Sequence, residues 1–184
     1  DVYKRQYLFM FLIPAITMKS FAEEKRSGTI ELLYTLPLTS RAIVMGKFLA
    51  ASSLVFFSLL PTLIYYYSIY HLGNPQGNLD TSGIVGAYFG LFFLGSVFAS
   101  IGIFSSSITE NQIVSFVVAA ILCFVSYEGF ATLARIDLWV SWAYYIEYFG
   151  IIFHYSAMSK GVIDLSNITY FLGFIVIMLF ATHY

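Results

Sequence analysis

Long apolar runs separated by short polar stretches dominate the chain. Four of these runs, at 48–70, 83–104, 112–134 and 167–184, reach or approach the length of a membrane-spanning helix. Such a helix needs about 20 apolar residues, because the hydrocarbon core is about 30 Å thick and a helix rises about 1.5 Å per residue. A fifth run, 7–18, has only 12 residues and is too short to cross by itself. The pattern predicts an all-α, polytopic membrane helix bundle with four full spans and one partial span.

Composition excludes most other classes of protein. The chain is 59% hydrophobic and 10% charged, whereas a soluble domain carries about 25% charged residues. Nine Lys and Arg against ten Asp and Glu leave no basic excess, which excludes a nucleic-acid binder. Cys123 stands alone, so the sequence holds neither a disulfide framework nor a CxxC metal site. We therefore expect a multi-pass membrane protein that contacts lipid and binds no metal.

Basic residues are concentrated between the first two apolar runs. Residues 19–47, which we call the basic segment, hold five of the nine Lys and Arg, and the connection 71–82 holds none. By the positive-inside rule the basic segment is cytoplasmic and 71–82 is external. Alternation then places 105–111 in the cytoplasm and 135–166 outside. The external segment 135–166 is too polar for a span and too aromatic for a solvated loop, so we expect an interfacial or re-entrant pair of helices there.

The beginning of the chain does not resemble the start of a membrane helix. Residue 1 is Asp instead of Met, and Lys4 and Arg5 place two positive charges where the rest of a span would be. We expect residues 1–6 to be a non-native scar, and 7–18 to be the remnant of a longer helix. In the genomic DNA, we expect an in-frame upstream extension that encodes a further hydrophobic helix.

The basic segment contains signals for short helices. Ser20 and Glu23 have the spacing of a capping box at a helix start. Gly28 is expected to end this first helix, and a second short helix is expected to end at Pro37. Thr39 or the residue after it opens the next helix, which enters the membrane.

The second short helix is predicted to be amphipathic. Ile30, Leu33 and either Leu36 or Pro37 share one face of it. A short amphipathic helix at the membrane surface suits docking into a groove of another protein. It also suits binding to a surface of anionic lipid. The residue pattern leaves both interpretations open.

The same segment carries a recognisable motif. The run Phe-Ala-Glu-Glu-Lys-Arg-Ser-Gly-Thr-Ile-Glu-Leu-Leu at 21–33, with Leu-Pro-Leu at 36–38 and Gly-Lys at 46–47, resembles the cytoplasmic coupling segment of ABC-2-type transporter permeases. The resemblance continues in motifs at 61–67, 90–95, 105–114 and 160–165. Together these motifs look like the gliding-motility-associated permease subunits of that class, the GldF subfamily.

The resemblance implies a type V exporter-like permease of six helices in the bacterial inner (cytoplasmic) membrane. Such a permease pairs with a second permease, as a homo- or heterodimer, and with a cytoplasmic ABC ATPase. It further implies that 7–18 is the remnant of helix two, that helix one is absent, and that the basic segment contains the coupling helix that contacts the ATPase.

Closure of the ATPase pair on nucleotide is then expected to push on residues 19–41. Charged residues are expected to form ion pairs at the rim of this contact, while Ile30 and Leu33 insert. The residues expected to take part in ATPase coupling are Phe21, Glu23, Glu24, Arg26, Gly28, Thr29, Ile30, Glu31, Leu33 and Pro37.

Nucleotide chemistry is not expected on this chain. The phosphate-cradling loop GxxxxGK[ST] is missing, because Gly46-Lys47 is followed by Phe48 and Arg41 stands where the first glycine would be. We therefore expect no enzymatic activity, no catalytic residue and no cofactor here. ATP and Mg²⁺ are expected to bind to the separate ATPase, which hydrolyses the ATP.

Two features inside the predicted spans admit a functional and a structural interpretation. Glu128 is an acidic residue inside the run 112–134, where an ionisable group indicates function by default, but it also suits snorkelling or pairing with Arg135. Gly86, Gly90 and Gly95 belong to a face of small residues that permits close helix packing. That face suits contacts within the chain as well as an interface between two permeases.

Two other functions compete with a permease subunit. A non-transporting membrane anchor or assembly subunit of a motility or secretion machine would carry the same coupling segment. An intramembrane enzyme such as a serine protease is a more remote alternative, because the sequence lacks a GxSG-like turn and an interior His in a span.

Overall fold

The computed structural model describes residues 2–35, 37–72, 80–136 and 142–183. Leu36, residues 73–79 of the predicted external connection and residues 137–141 of the predicted external segment lie outside the described residues, as do both terminal residues. Within the described ranges the regular structure is helical, without a strand. This confirms the prediction of an all-α bundle.

Eleven α-helices are labelled in chain order across the described ranges. A 3-10 turn joins α4 to α5, and a π-helical turn joins α7 to α8. The bounds are α1 (Val2–Thr17), α2 (Ala22–Ser27), α3 (Ile30–Thr35), α4 (Ser40–Leu59), the 3-10 turn (Leu60–Thr62), α5 (Leu63–Leu72), α6 (Thr81–Ile108), α7 (Gln112–Phe124), the π turn (Val125–Gly129), α8 (Phe130–Ala134), α9 (Ala143–Tyr148), α10 (Ile151–Ser159) and α11 (Leu165–His183).

Four helical stretches among the described residues are long and apolar enough to cross a membrane. They are Ser40–Leu72, Thr81–Ile108, Gln112–Ala134 and Leu165–Thr182. Each overlaps one of the four predicted runs; the bounds of 112–134 are as predicted, and the other three stretches have wider or shifted ends. The multi-pass character follows from these four helices.

One helix starts where the sequence predicted, and another starts earlier. The first long stretch begins at Ser40, as expected from the start signal at Thr39 or Ser40, so the last eight residues of the basic segment belong to α4 and precede the apolar run that begins at residue 48. The α4 helix is continuous up to the 3-10 turn and includes Gly46. At the start of the chain, α1 begins at Val2 rather than at Tyr7. The origin of residues 1–6 stays a prediction.

Polar side chains cap the starts of three long helices. The Thr39 hydroxyl accepts a hydrogen bond from the Ala42 amide at 3.3 Å, which confirms Thr39 as the start signal for α4. Asp80 accepts from the Gly83 amide at 3.0 Å, and Asn111 accepts from the Ile113 amide at 2.9 Å. Each cap satisfies an amide that has no partner within its own helix. Hydrogen bonds from the Ser82 hydroxyl and the Gly83 amide hold the pKa of Asp80 below its usual value.

The α6 helix is the centre of the bundle. It packs against α1, α4, α7, α10 and α11, and most of its residues from Gly90 to Ser106 are buried. Lipid chains are as apolar as side chains, so helices in a membrane associate through close van der Waals contact at small residues. Small residues on α6 therefore decide how the bundle packs.

The glycines singled out in the sequence lie on this packed surface of α6. Gly86 and Gly90 face α10, where Met158 is a neighbour of both. Gly95 faces α4, and a Cβ on it would lie 2.5 Å from Cγ1 of Val55. The structure thus places all three glycines at contacts within this chain.

The long helices alternate in direction between two ends of the bundle. Thr17, at the end of α1, lies against Gly102 of α6, and Thr182 of α11 lies near Ile108. The basic segment and the connection 109–111 therefore share one end, which we call the segment end. At the opposite end, α9 and α10 form the predicted pair of short helices, and α10 is buried against α6.

Replacing Gly86 with Ala tests the close packing of α6 and α10. A Cβ at Gly86 would lie 2.7 Å from Cα of Gly161 and close to the Met158 carbonyl, and backbone atoms cannot rotate away. We expect Gly86→Ala to lower the stability by about 1–3 kcal/mol, measured as a lower midpoint of thermal unfolding in detergent. Gly46→Ala is the matched control, because a Cβ there meets nothing within 4 Å. Equal midpoints for the two variants would contradict the packing described here.

Candidate functional site

The first helix of the basic segment is capped by a distant residue. Phe21 occupies the N-cap position of α2 and makes no side-chain cap. The predicted capping box of Ser20 and Glu23 is therefore wrong, because the helix begins one residue too late for it. The amides of Phe21 and Ala22 donate instead to the hydroxyl oxygen of Ser106, at 2.8 Å and 3.0 Å. The start of α2 is thus attached to the end of α6.

Two further contacts, one by the residue just before the basic segment and one within it, reach the same turn of α6. The Ser106 hydroxyl donates to the Met18 carbonyl at 3.0 Å. The Lys25 ammonium donates to the Ser107 carbonyl, at the helix end where free carbonyls favour a positive charge. Both ends of α2 are therefore tied to α6.

A lysine on α4 completes the attachment. The Lys47 ammonium lies 2.5 Å from the Ser20 carbonyl and 2.5 Å from Oε1 of Glu24. It also lies 4.6 Å from the centre of the Phe21 ring, within range of a cation–π interaction. Lys47 and Glu24 are each less than one-third exposed, so solvent screens this ion pair less than a pair at the surface. The α2 helix is thus held between α4 and α6.

Gly28 separates the two short helices, as predicted. Its backbone has a φ of 73°, in the left-handed region that glycine adopts at helix ends, and its amide donates to the Lys25 carbonyl. The Ser27 and Thr29 hydroxyls lie 2.8 Å apart across this turn. The turn ends α2, and α3 begins two residues after Gly28, at Ile30.

The apolar face of α3 is turned toward the bundle. Ile30 and Leu33 line a cavity of about 310 Å³ at the segment end, together with residues of α2, α4, α6 and α11. Ile30 also packs against the buried core. Glu31 and Leu32 point outward, and the Leu32 side chain is 66% exposed.

The ten residues expected to take part in coupling fall into two groups in this structure. One group is buried or half-buried within the chain: Phe21, Glu24, Ile30 and Leu33. The other is exposed: Glu23, Arg26, Gly28, Thr29, Glu31 and Pro37. In this conformation the six residues of the second group are open to contact from outside the chain, and Leu32 is exposed beside them.

Sequence reasoning missed the residues that anchor the segment. Lys25 and Lys47 entered the prediction only as charges that orient the chain and as members of the family motif. Ser106 and Ser107 had no role beyond the family motif at 105–114. A run of three serines at the end of a long apolar helix was the available signal, but its partners lie more than 80 residues away in the sequence.

Glu128 has a partner on another helix. It lies in the π-helical turn between α7 and α8 and accepts a hydrogen bond of 2.6 Å from the Tyr7 hydroxyl. The neighbouring Tyr127 hydroxyl donates to the Gln6 side chain. The structure therefore pairs Glu128 with α1, where the sequence suggested Arg135.

The sequence of this chain matches a known protein family. The matching model is described as "ABC-2 family transporter protein" and covers residues 6–184. The match covers the basic segment and all four candidate spans. No curated protein matches the chain, and no solved structure matches it.

Removing the Lys47 charge is expected to loosen α2. We expect Lys47→Met to speed tryptic cleavage after Lys25 and Arg26 about fivefold, equivalent to about 1 kcal/mol, because a helix must open before it is cut. Arg41→Met is the matched control, since Arg41 is exposed on the first turn of the same helix. An equal change in the two variants would show that the effect is one of net charge and would contradict the anchoring role of Lys47.

Proposed function

This chain belongs to the ABC-2 transporter family, and we propose that it is the membrane-spanning permease subunit of an ABC transporter, driven by a separate ATPase. The observation that carries the proposal is an exposed charged surface on two short helices that are anchored to the core of the bundle. We call this surface the outer face, and it consists of Glu23, Arg26, Glu31 and Leu32.

The outer face has the composition of a docking surface for another protein. Its two acidic residues and one arginine offer ion pairs, which steer and orient association. Leu32 adds an apolar anchor among them. Contacts at this face leave Glu24 in its ion pair with Lys47 and leave Ile30 and Leu33 in place at the cavity.

The attachment of the outer face supports a mechanical role. A push on α2 reaches α6 through the contacts at Ser106 and Ser107, and it reaches α4 through Lys47. The central helix α6 packs against most of the other long helices, and packed interiors transmit displacement because they are close-packed. Closure of an ATPase pair on nucleotide would in this way move the spanning helices.

The finer assignment rests on sequence resemblance. The motifs at 21–33 and 105–114 support a gliding-motility-associated permease of the GldF subfamily. With that assignment come the bacterial inner membrane, a cytoplasmic basic segment, a second permease subunit, and ATP with Mg²⁺ bound by the ATPase. The work performed is then export or mechanical work in gliding motility.

Charge reversal on the outer face tests the docking proposal. We expect Glu31→Lys to reduce co-purification of the ABC ATPase encoded in the same gene neighbourhood at least about fivefold, since it places a like charge or an unpaired charge in the contact. Leu32→Asp is expected to act in the same direction. The measurement is the amount of ATPase retained per permease after co-expression and affinity purification.

The control for this test lies at the opposite end of the bundle. Glu147 is also an exposed glutamate, and Glu147→Lys makes the same change of charge without touching the outer face. It is expected to leave co-purification unchanged. Full retention of the ATPase by Glu31→Lys and Leu32→Asp would refute docking at the outer face.

A further inference from the structure

We propose that Ser106 is the joint that makes the basic segment and α6 move as one body. The transmission of force through this joint rests on the proposed function, because it requires a partner that pushes on the basic segment. The physical basis of the joint lies within this chain, in the three hydrogen bonds of one buried hydroxyl. Ser106 is accordingly a positioning residue, which acts through α2 rather than by contact with a partner.

The hydroxyl of Ser106 is fully used by Met18 and by the first residues of the basic segment. A serine hydroxyl offers one donor and two acceptor positions. Here it accepts from the amides of Phe21 and Ala22 at 2.8 Å and 3.0 Å, and it donates to the carbonyl of Met18 at 3.0 Å. The residue is completely buried, so water does not replace these bonds when the hydroxyl is removed.

The α2 helix depends on this hydroxyl. A helix of six residues is too short to be stable by itself in water. Its first amides have no partners within the helix, and Phe21 at the N-cap position supplies none. Ser106 therefore performs from α6 the capping that a local serine or threonine usually performs.

The two neighbouring serines provide natural comparisons. Ser105 is equally buried, but its hydroxyl donates to the Ser115 carbonyl of α7 at 2.7 Å. The Ser107 hydroxyl donates to the carbonyl of Phe104 within its own helix at 2.7 Å. Three consecutive serines thus have hydroxyls directed to three different elements, and that of Ser106 reaches α2.

The first experiment needs no partner. Hydrogen–deuterium exchange is measured on the protein in lipid nanodiscs, in a peptide that contains Phe21 and Ala22. We expect Ser106→Ala to accelerate exchange there about tenfold, because two amide hydrogen bonds are lost. Ser105→Ala and Ser107→Ala are expected to match the wild type in this peptide.

Three results would overturn the joint. One is unchanged exchange in Ser106→Ala, and another is equal acceleration of the α2 peptide in Ser105→Ala. The third is equal acceleration throughout α6 in Ser106→Ala, which would assign Ser106 to the stability of α6 alone. Ser106→Cys keeps a weak donor and acceptor of similar size, so we expect it to give an intermediate rate in the α2 peptide.

The second experiment tests transmission in the complex with the ATPase. Spin labels are placed at Ser27 on α2 and at Phe89 on α6, in a Cys123→Ala background. Both sites are exposed, and Phe89 lies about 25 Å along α6 from Ser106. The distance between the labels is measured by double electron–electron resonance without nucleotide and after trapping with ATP and vanadate.

For the wild type we expect one narrow distance that trapping leaves unchanged, because α2 and α6 move together. For Ser106→Ala we expect a broader distribution that shifts on trapping. A shift in the wild type, or identical distributions in the two proteins, would overturn the joint. If the wild type fails to retain the ATPase, the proposed function fails instead, and the exchange experiment still decides the role of Ser106.

Discussion

The close approach of helix backbones along α6 is the constraint on which the rest of the bundle depends. Lipid offers apolar side chains as much contact as protein does, so spanning helices are held together by close packing at small residues and by hydrogen bonds between helices. Small residues on α6 permit that packing: Gly86 and Gly90 admit α10, Gly95 admits α4, and Gly102 admits α1. A Cβ would meet backbone atoms at Gly86 and side-chain atoms of the facing helix within 3 Å at Gly95 and Gly102, whereas at Gly90 it would only reach ordinary van der Waals contact.

Contacts with α6 also fix the position of the basic segment. Its attachment begins where α6 ends, at Ser106 and Ser107, and the Lys47 contact adds α4. Charges in this segment therefore have two different roles. Lys25, Lys47 and Glu24 hold the fold together, whereas Glu23, Arg26 and Glu31 are exposed. Only substitutions in the second set test contact with another chain without disturbing these internal contacts.

Two polar residues of the bundle, Glu128 and His154, are paired with residues of other elements, which offsets the cost of placing them in a low-dielectric environment. The carboxylate of Glu128 accepts a hydrogen bond from the Tyr7 hydroxyl. His154 is buried with Nδ1 at 2.8 Å from Oδ1 of Asn167 and Nε2 at 2.9 Å from the Tyr148 carbonyl. His154 is thus a hydrogen-bonding residue of the packed core at the end opposite the basic segment.

Much of the architecture was readable from sequence, because apolar run length sets the number of spans and glycine and threonine mark helix ends. The four spans, the break at Gly28 and the cap at Thr39 follow from such local patterns. The predicted capping box at Ser20 was wrong because the residue that caps α2 is Ser106, which is distant in the chain and is not visible in the local pattern. The side of α3 that faces the bundle was equally unreadable, since periodicity groups Ile30 with Leu33 but does not say what covers them. The sequence by itself thus determined a multi-pass helical membrane protein with one charged segment. Only the tertiary structure decided which of those charges anchor the segment and which are exposed, because that depends on contacts between residues far apart in the chain.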